Sequence, residues 1–209
     1  MFVPRHFVEE DAGRIRELIR RHAFGTLVTW DRQRPVATHL PMLLREAPST
    51  GPQALTLVGH IARANPQWKS FDPATEVLAI FQGPHAYVSA SWYSIHSAPT
   101  WNYITAHVYG TPVIVSDRAE LYQLLKELVD SREEASPENA RYRLESMPND
   151  LLETMMNAIV GFKIRVTRIE CAAKLSQNRS RPDQARIIAK LKERGDPDSL
   201  SVARAMEKR

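Results

Sequence analysis

Residues Tyr87 to Gly110 read YVSASWYSIHSAPTWNYITAHVYG and hold six of the sixteen aromatic residues of the chain, beside hydroxyl and amide side chains. The pattern predicts a strand from Tyr87 to Ala90, a loop, and a long strand from Trp101 to Val115 that is interrupted at Gly110 and Pro112 by a bulge or a bend. Flat apolar rings next to hydrogen-bonding groups suit a planar heteroaromatic ligand. An aromatic hairpin packed in a core has the same composition, so both interpretations stay open.

The sequence on either side of this segment also predicts strands. They cluster in hairpins without regular crossover helices, which favours an antiparallel barrel over a parallel α/β sheet. We therefore expect a mainly β fold with peripheral helices (α+β), an antiparallel, Greek-key-like barrel. The further predicted strands are Thr26 to Trp30, Val36 to Leu44, Ala54 to His60, Glu76 to Gln82 and Phe162 to Cys171, with a surface loop from Glu46 to Gln53 and a turn at Gly83-Pro84.

Helical periodicity and capping residues mark the predicted helices. Asp117, with Glu120 three residues later, is a relative of the capping box and begins a helix with leucines at helical spacing. The other predicted helices are Glu9 to His22, a short one after Asn65-Pro66, Leu151 to Ile159, Pro182 to Arg194 and Asp198 to Lys208. We expect two domains: residues 1–180, which form the barrel, and residues 181–209, a helical basic tail.

The net positive charge of the chain is concentrated in its C-terminal segment. Residues 179–209 carry nine Lys or Arg against five Asp or Glu, a difference of +4 that equals the formal charge of the whole chain. Such a tail either contacts nucleic acid or is a solvated helix face. No apolar stretch is long enough to cross a membrane and no signal peptide is evident, so we expect a cytoplasmic protein. The single cysteine, Cys171, is interpreted as a small structural residue of a strand.

The chain has no glycine-rich phosphate loop and no motif of a zinc enzyme or serine hydrolase. Its seven histidines are dispersed, and we expect no metal site. His39 and His60 stand out because each closes a predicted strand, where a barrel mouth offers room for a ligand. The polar run KLSQNR, Lys174 to Arg179, is suited to binding an anionic group or sealing a subunit interface.

Four ordered motifs resemble the PaiB family of FMN-binding, negative transcriptional regulators. The resemblance extends over nearly the whole chain, from VPRHF at residues 3–7 through IVGFKI at residues 159–164 to the KLSQNR run. The four motifs are GHIARANPQW at 59–68, SWY at 91–93, PTWNY at 99–103 and KLSQNR at 174–179.

The resemblance implies an FMN-binding split barrel that forms a homodimer with cofactor sites at the subunit interface. It implies that the second and third strands face the flavin, that the WNY motif borders its ring, and that the KLSQNR run reaches the phosphate or ribityl group from the partner subunit. The residues so nominated are His39, Leu40, Pro41, His60, Ala62, Asn65, Trp101, Asn102, Tyr103, Lys174, Gln177, Asn178 and Arg179.

The function expected from the resemblance is that of a flavin-dependent redox protein or of a flavin-linked transcriptional regulator. If the chain is an enzyme, hydride or electron transfer by an FMN-dependent oxidoreductase is the expected chemistry. One alternative is a DNA-associated repressor that uses the basic tail, although no helix-turn-helix is evident. Another is a haem-binding split barrel with His60, His96 or His107 as axial ligand.

Overall fold

Six antiparallel strands and five α-helices form the fold in a computed structural model, which describes residues 1–48 and 51–209. The predicted loop from Glu46 to Gln53 therefore lies partly outside the described residues. The strands are β1 (Phe24–Trp30), β2 (Pro35–Glu46), β3 (Leu55–Ala62), β4 (Val77–Val88), β5 (Thr100–Val115) and β6 (Ile159–Lys174). The helices are α1 (Ala12–Arg21), α2 (Arg118–Glu133), α3 (Asn149–Asn157), α4 (Arg181–Arg194) and α5 (Pro197–Glu207).

The strands hydrogen-bond in the order β1-β2-β3-β6-β5-β4, and pairing of β4 with β1 closes the barrel. The predicted class, a mainly β antiparallel barrel with peripheral helices, is confirmed. None of the helices in the described part of the chain is long and apolar enough to span a membrane.

Side-chain caps begin α2 and α5, and the sequence predicts the first of these caps. Asp117 accepts a hydrogen bond from the backbone N–H of Glu120 at 2.7 Å, which confirms the predicted start of α2. Asp196 caps α5 in the same way through Ser199. Gly195 ends α4 with φ of 76°, a left-handed conformation that glycine adopts without steric cost.

The prediction of a turn at Gly83-Pro84 is wrong, because β4 runs without interruption from Val77 to Val88. Gly83 is needed for close packing instead. A Cβ atom at this position would lie 2.7 Å from Cδ1 of Leu18 and 3.0 Å from the carbonyl oxygen of Ile104. The glycine thus marks a close approach of another segment to a strand.

The described chain divides into two compact units. Unit 1 comprises Met1–His22, Phe81–His107 and Glu170–Arg209, and unit 2 comprises Ala23–Ile80 and Val108–Ile169. In unit 2, α2 and α3 bury apolar side chains against Val58 and Val115. In unit 1, helices α4 and α5 supply half of a buried apolar cluster: Ile187, Leu191, Val202, Ala203 and Met206. The division into residues 1–180 and 181–209 remains a prediction, whereas the predicted tail helices are present.

Cys171 lies in unit 1, in β6, and its side chain is buried. Burial raises the pKa of its thiol to about 12, and the nearby carboxylate of Glu9 acts in the same direction. The thiolate is the reactive form, so the folded protein has almost none of it at neutral pH. We expect no colour with a disulfide reagent on the native protein and about one thiol per chain after denaturation. A native protein that reacted as fast as free cysteine would contradict this placement.

Candidate functional site

Strands β1, β2 and β3 present part of one sheet face to solvent in unit 2. Phe24 lies opposite Pro41 in the pairing of β1 with β2. Because side chains alternate along a strand and paired residues share a face, His39 and Pro41 project on the same side. In β3, His60 and Ala62 project on that side too, since Leu43 pairs with Val58. We call Phe24, His39, Pro41, His60 and Ala62 the open face.

The open face is the part of this side of the sheet that α2 does not cover. Further along the same side of the sheet, Val58 is buried against the leucines of α2. Phe24, by contrast, is 69% exposed, and its ring is stacked on that of His39 with centroids 6.5 Å apart. An exposed, preformed pair of flat rings on a rigid sheet is a surface on which a planar ligand can stack.

His60 adds a polar group to the open face. The side chain is half-buried, and its Nδ1 is a buried atom that has no hydrogen-bond partner among the described residues. Burial lowers the pKa of the imidazole, so the ring is neutral at pH 7 and offers one donor and one acceptor nitrogen. A buried polar atom without a partner costs about 1–3 kcal/mol. A ligand would recover that cost by bonding to Nδ1 once the ring turns to bring this atom to the surface.

Two of the residues predicted from β2 and β3 do not belong to the open face. Leu40 projects from the opposite side of β2 and is buried near Gly59. Asn65 caps the short 3₁₀ helix Pro66–Ser70, accepting from the backbone N–H of Gln67 at 3.0 Å. Its amide also donates to Oγ1 of Thr38 at 2.9 Å. Both residues pack or bond within unit 2, and contact of either with a ligand stays a prediction.

Gln67 is a buried polar residue that the sequence analysis missed. Its side-chain amide donates to the carbonyl oxygens of Leu27 at 3.0 Å and Val36 at 3.1 Å, and its own carbonyl accepts from Thr38. These bonds tie the turn after β3 to β1 and β2. A glutamine next to an Asn-Pro cap carries no sequence signal of burial, because glutamine is usually exposed.

The aromatic segment from Tyr87 to Gly110 lies mostly in unit 1, and its WNY motif alternates between exposure and burial. Trp101 is 53% exposed, with its ring centroid 5.9 Å from that of Tyr87 and 6.0 Å from that of His85. Tyr103, two residues on, is half-buried. Asn102 is fully buried and accepts from Oγ of Ser176 at 3.0 Å. Its amide is thus occupied within the chain.

The KLSQNR run is largely folded onto its own unit. Nζ of Lys174 donates to Oγ1 of Thr100 at 2.6 Å. Gln177 accepts from the backbone N–H of Leu175 at 2.6 Å and donates to the carbonyl of Ala173. Asn178 is exposed. The guanidinium of Arg179 lies 4.4 Å from the centroid of the Tyr93 ring. Lys174 keeps two ammonium protons for another acceptor.

A family model described as "Putative FMN-binding domain" matches residues 1–168. The chain is also 36% identical over 207 residues to the protease synthase and sporulation protein PAI 2 of Bacillus subtilis, a match that covers 99% of this chain and 97% of the relative. The chain belongs to the PaiB family. The resemblance seen in the four sequence motifs is thereby confirmed, and the ligand class of this PaiB-family chain is a flavin.

Two solved structures share the fold of this PaiB-family chain. The flavocytochrome Anf3 of Azotobacter vinelandii has a TM-score of 0.61 at 13% identity, with 88% of this chain and 78% of that chain covered. An FAD and haem binding protein of Mycobacterium smegmatis has a TM-score of 0.60 at 14% identity, with 85% and 78% covered. At these identities the likeness shows the fold alone, and it confirms the split barrel.

Proposed function

We propose that this protein binds FMN on the open face of unit 2 and acts as a homodimer. The family match supports a flavin, and FMN is the flavin named in the description of the family. The observation that carries the proposal is the unpartnered Nδ1 of His60 on the same sheet face as the exposed ring of Phe24. An isoalloxazine needs both of these features, an apolar surface for its rings and a hydrogen-bonding group for its polar edge.

The charge of the ligand supports the proposed dimer. FMN carries a phosphate dianion, and the five residues of the open face include no lysine or arginine. Phosphate binding without a glycine loop depends on such side chains. We therefore assign the phosphate and ribityl contacts to Lys174 of the partner subunit and Arg179 of the partner subunit, with Asn178 and Gln177 of the partner subunit beside them. Trp101 and Tyr103 remain proposed neighbours of the ring.

A bound flavin supplies hydride or electron transfer, whereas the chain binds and orients it. His60 would hold a hydrogen bond at the ring edge, and Phe24 and Pro41 would keep water from one side of the ring. This arrangement suits an FMN-dependent oxidoreductase and equally a regulator that senses the flavin. The name of the Bacillus subtilis relative supports the role of a regulator.

Haem is the second candidate ligand, because His60 is also suited to be an axial ligand. An imidazole nitrogen without a hydrogen bond can ligate iron once the ring turns and exposes it. Of the two other histidines considered, His96 is exposed and His107 is half-buried, with its pKa lowered mainly by burial. His60 is therefore the residue on which the haem proposal depends.

Direct DNA binding by the basic tail has less support. Several of the tail cations are engaged: Arg186 pairs with Asp183 at 3.1 Å, Lys190 with Glu193 at 2.7 Å and Lys192 with Glu207 at 2.5 Å. Helices α4 and α5 also bury one side in the core of unit 1. A segment held in this way differs from the free basic arm that binds phosphates through its charge.

The absorption spectrum of the freshly purified protein is the first test. We expect flavin bands, release of FMN on denaturation, and a mass in solution of twice 23.8 kDa. Flavin-free protein that does not quench the fluorescence of added FMN would overturn the proposal. Release of FAD alone would overturn the choice of FMN, and a Soret band lost in His60→Phe would favour haem.

Variants of the open face test where the flavin binds. We expect His60→Phe and Phe24→Ala each to weaken FMN binding by about tenfold, since each removes a contact worth about 1–1.5 kcal/mol. His60→Asn, which keeps a polar group near Nδ1, should retain part of the affinity. His96→Phe and Tyr142→Ala change exposed rings elsewhere and serve as controls. Wild-type affinity in both open-face variants would contradict this location.

A further inference from the structure

Unit 1 contains a cavity that the flavin proposal does not use. It has a volume of about 560 Å³ and lies among α1, α5 and strands β4 to β6. Pockets for small molecules commonly measure about 300–1,000 Å³. The floor is apolar, formed chiefly by Leu18, Pro84, Ile104, Ala173, Leu175 and Ala205. The cavity is thus large enough and apolar enough for the hydrocarbon part of a small ligand.

Charged side chains form the rim of this cavity, with five cations and three carboxylates. Two of the carboxylates are already paired. Glu9, whose side chain is 10% exposed, lies 3.5 Å from Arg14 and also pairs with Arg209. Glu17 lies 2.6 Å from Arg21. These pairs account for three of the five cations and leave Arg204 and Lys208.

Arg204 lies in the last turn of α5, and Lys208, four residues later, is the C-cap residue in helical conformation, so their side chains lie on the same face. Neither forms an ion pair within residues 1–48 and 51–209, although both line the cavity. Asp198 is the remaining carboxylate of the rim. His22, which also faces the cavity, has its pKa lowered by burial first and then by Arg21, so it adds no charge at neutral pH. The rim therefore has an excess of positive charge at α5.

We propose that this cavity binds a small amphipathic anion, a molecule with an aliphatic body and one terminal carboxylate. The body packs on Leu18, Ile104 and Leu175, and the carboxylate lies between Arg204 and Lys208. Charge-assisted hydrogen bonds from these two side chains hold the anion, and the apolar floor selects against small hydrophilic anions. The site shares no residue with the open face and does not depend on the flavin proposal.

Octanoate is a suitable probe, and 1-octanol of the same chain length is its matched control. We expect saturable calorimetric binding of octanoate to the full-length protein, at least about tenfold tighter than that of octanol, because octanol lacks the charge. Octanoate affinity should also fall as salt is raised, since the two cations are at the surface.

Two pairs of substitutions test the cations. Arg204→Ala with Lys208→Ala should reduce octanoate affinity at least about tenfold and leave octanol binding nearly unchanged. Arg181→Ala with Lys190→Ala removes the same net charge from α4, at positions that do not line the cavity, and should bind octanoate as the wild type does. Equal affinity in the two double variants would overturn the assignment of the carboxylate.

A third variant tests the apolar floor. Ala205→Phe, which fills the cavity and keeps both cations, should abolish octanoate binding, with circular dichroism as the check on folding. Should it not fold, Leu18→Ala replaces it, and an unchanged octanoate affinity there would contradict the floor. Wild-type protein that shows no saturable octanoate binding overturns the proposal. Flavin content is measured in every variant and should stay constant, which separates this outcome from a failure of the flavin proposal.

Discussion

Deletion of residues 182–209 is expected to abolish cooperative folding of unit 1. The deletion removes most of α4 and all of α5, which together bury Ile187, Leu191, Val202, Ala203 and Met206 against β4 and β6. The apolar partners of these residues would then face water. Val88 and Leu175 alone represent roughly 3–6 kcal/mol of burial. A whole domain is stable by only about 5–15 kcal/mol.

The deletion also removes polar contacts. The carboxylate of Asp183 accepts a hydrogen bond from the backbone N–H of Ser94 at 2.8 Å, and Met206 contacts the buried amide of Asn102. Denaturant unfolding followed by tyrosine and tryptophan fluorescence measures the effect. A truncated protein with the unfolding midpoint of the full chain would show that the two helices are dispensable.

Single substitutions in α4 test the same packing without removing the other contacts of the two helices. Leu191→Ala should cost about 2–5 kcal/mol, because Leu191 is fully buried. Lys190→Ala, on the exposed side of the same turn, should change stability by no more than about 0.5 kcal/mol. A tail deletion is therefore unsuitable as a test of DNA binding, since loss of binding would follow from loss of the fold.

Gly110→Ala is expected to cost about 3 kcal/mol or more, a large effect for the addition of one methyl group. A Cβ atom at residue 110 would lie 2.2 Å from the carbonyl oxygen of Arg165 and 2.7 Å from Cγ2 of Ile164. The first of these contacts is to backbone, which cannot move aside without breaking the pairing of β5 with β6. Chemical denaturation gives the change in unfolding free energy.

Gly13→Ala is the matched control. Gly13 lies in the first turn of α1, where a Cβ atom would meet only Oδ1 of Asp11 at 3.1 Å, the end of a movable side chain. Alanine is favoured over glycine in a helix by up to about 1 kcal/mol, so this variant should be as stable as the wild type or slightly more so. Equal effects of the two substitutions would rule out close strand packing as the reason for Gly110.

Local signals in the sequence were sufficient for most of the secondary structure. Asp117 predicted the start of α2 because a helix cap depends on residues within one turn. The prediction of a turn at Gly83-Pro84 failed for the opposite reason, because distant residues decide the conformation there. This dipeptide is a local turn signal, but the conformation is decided by Leu18 and Ile104, which are distant in sequence and close in the fold. Single-sequence patterns do not contain that information.

The same distinction applies to the candidate site. Side chains alternate between the two faces of a strand. This period-two pattern alone places His39 and Pro41 on one face and Leu40 on the other. Phe24 was missed because the first strand was predicted to begin at Thr26, two residues too late. The burial of Asn102 could not be predicted from neighbouring residues, because the side chain that bonds to it, Ser176, is 74 residues away.

The buried position of Cys171 has a practical consequence for spectroscopy. Because the chain contains no other cysteine, its surface is free of thiols and needs no prior mutagenesis for selective labelling. A single cysteine introduced at the exposed Ala185 of α4 would carry a spin label in the native protein. Two labels then report a distance across a homodimer, whereas a monomer gives no dipolar signal at all.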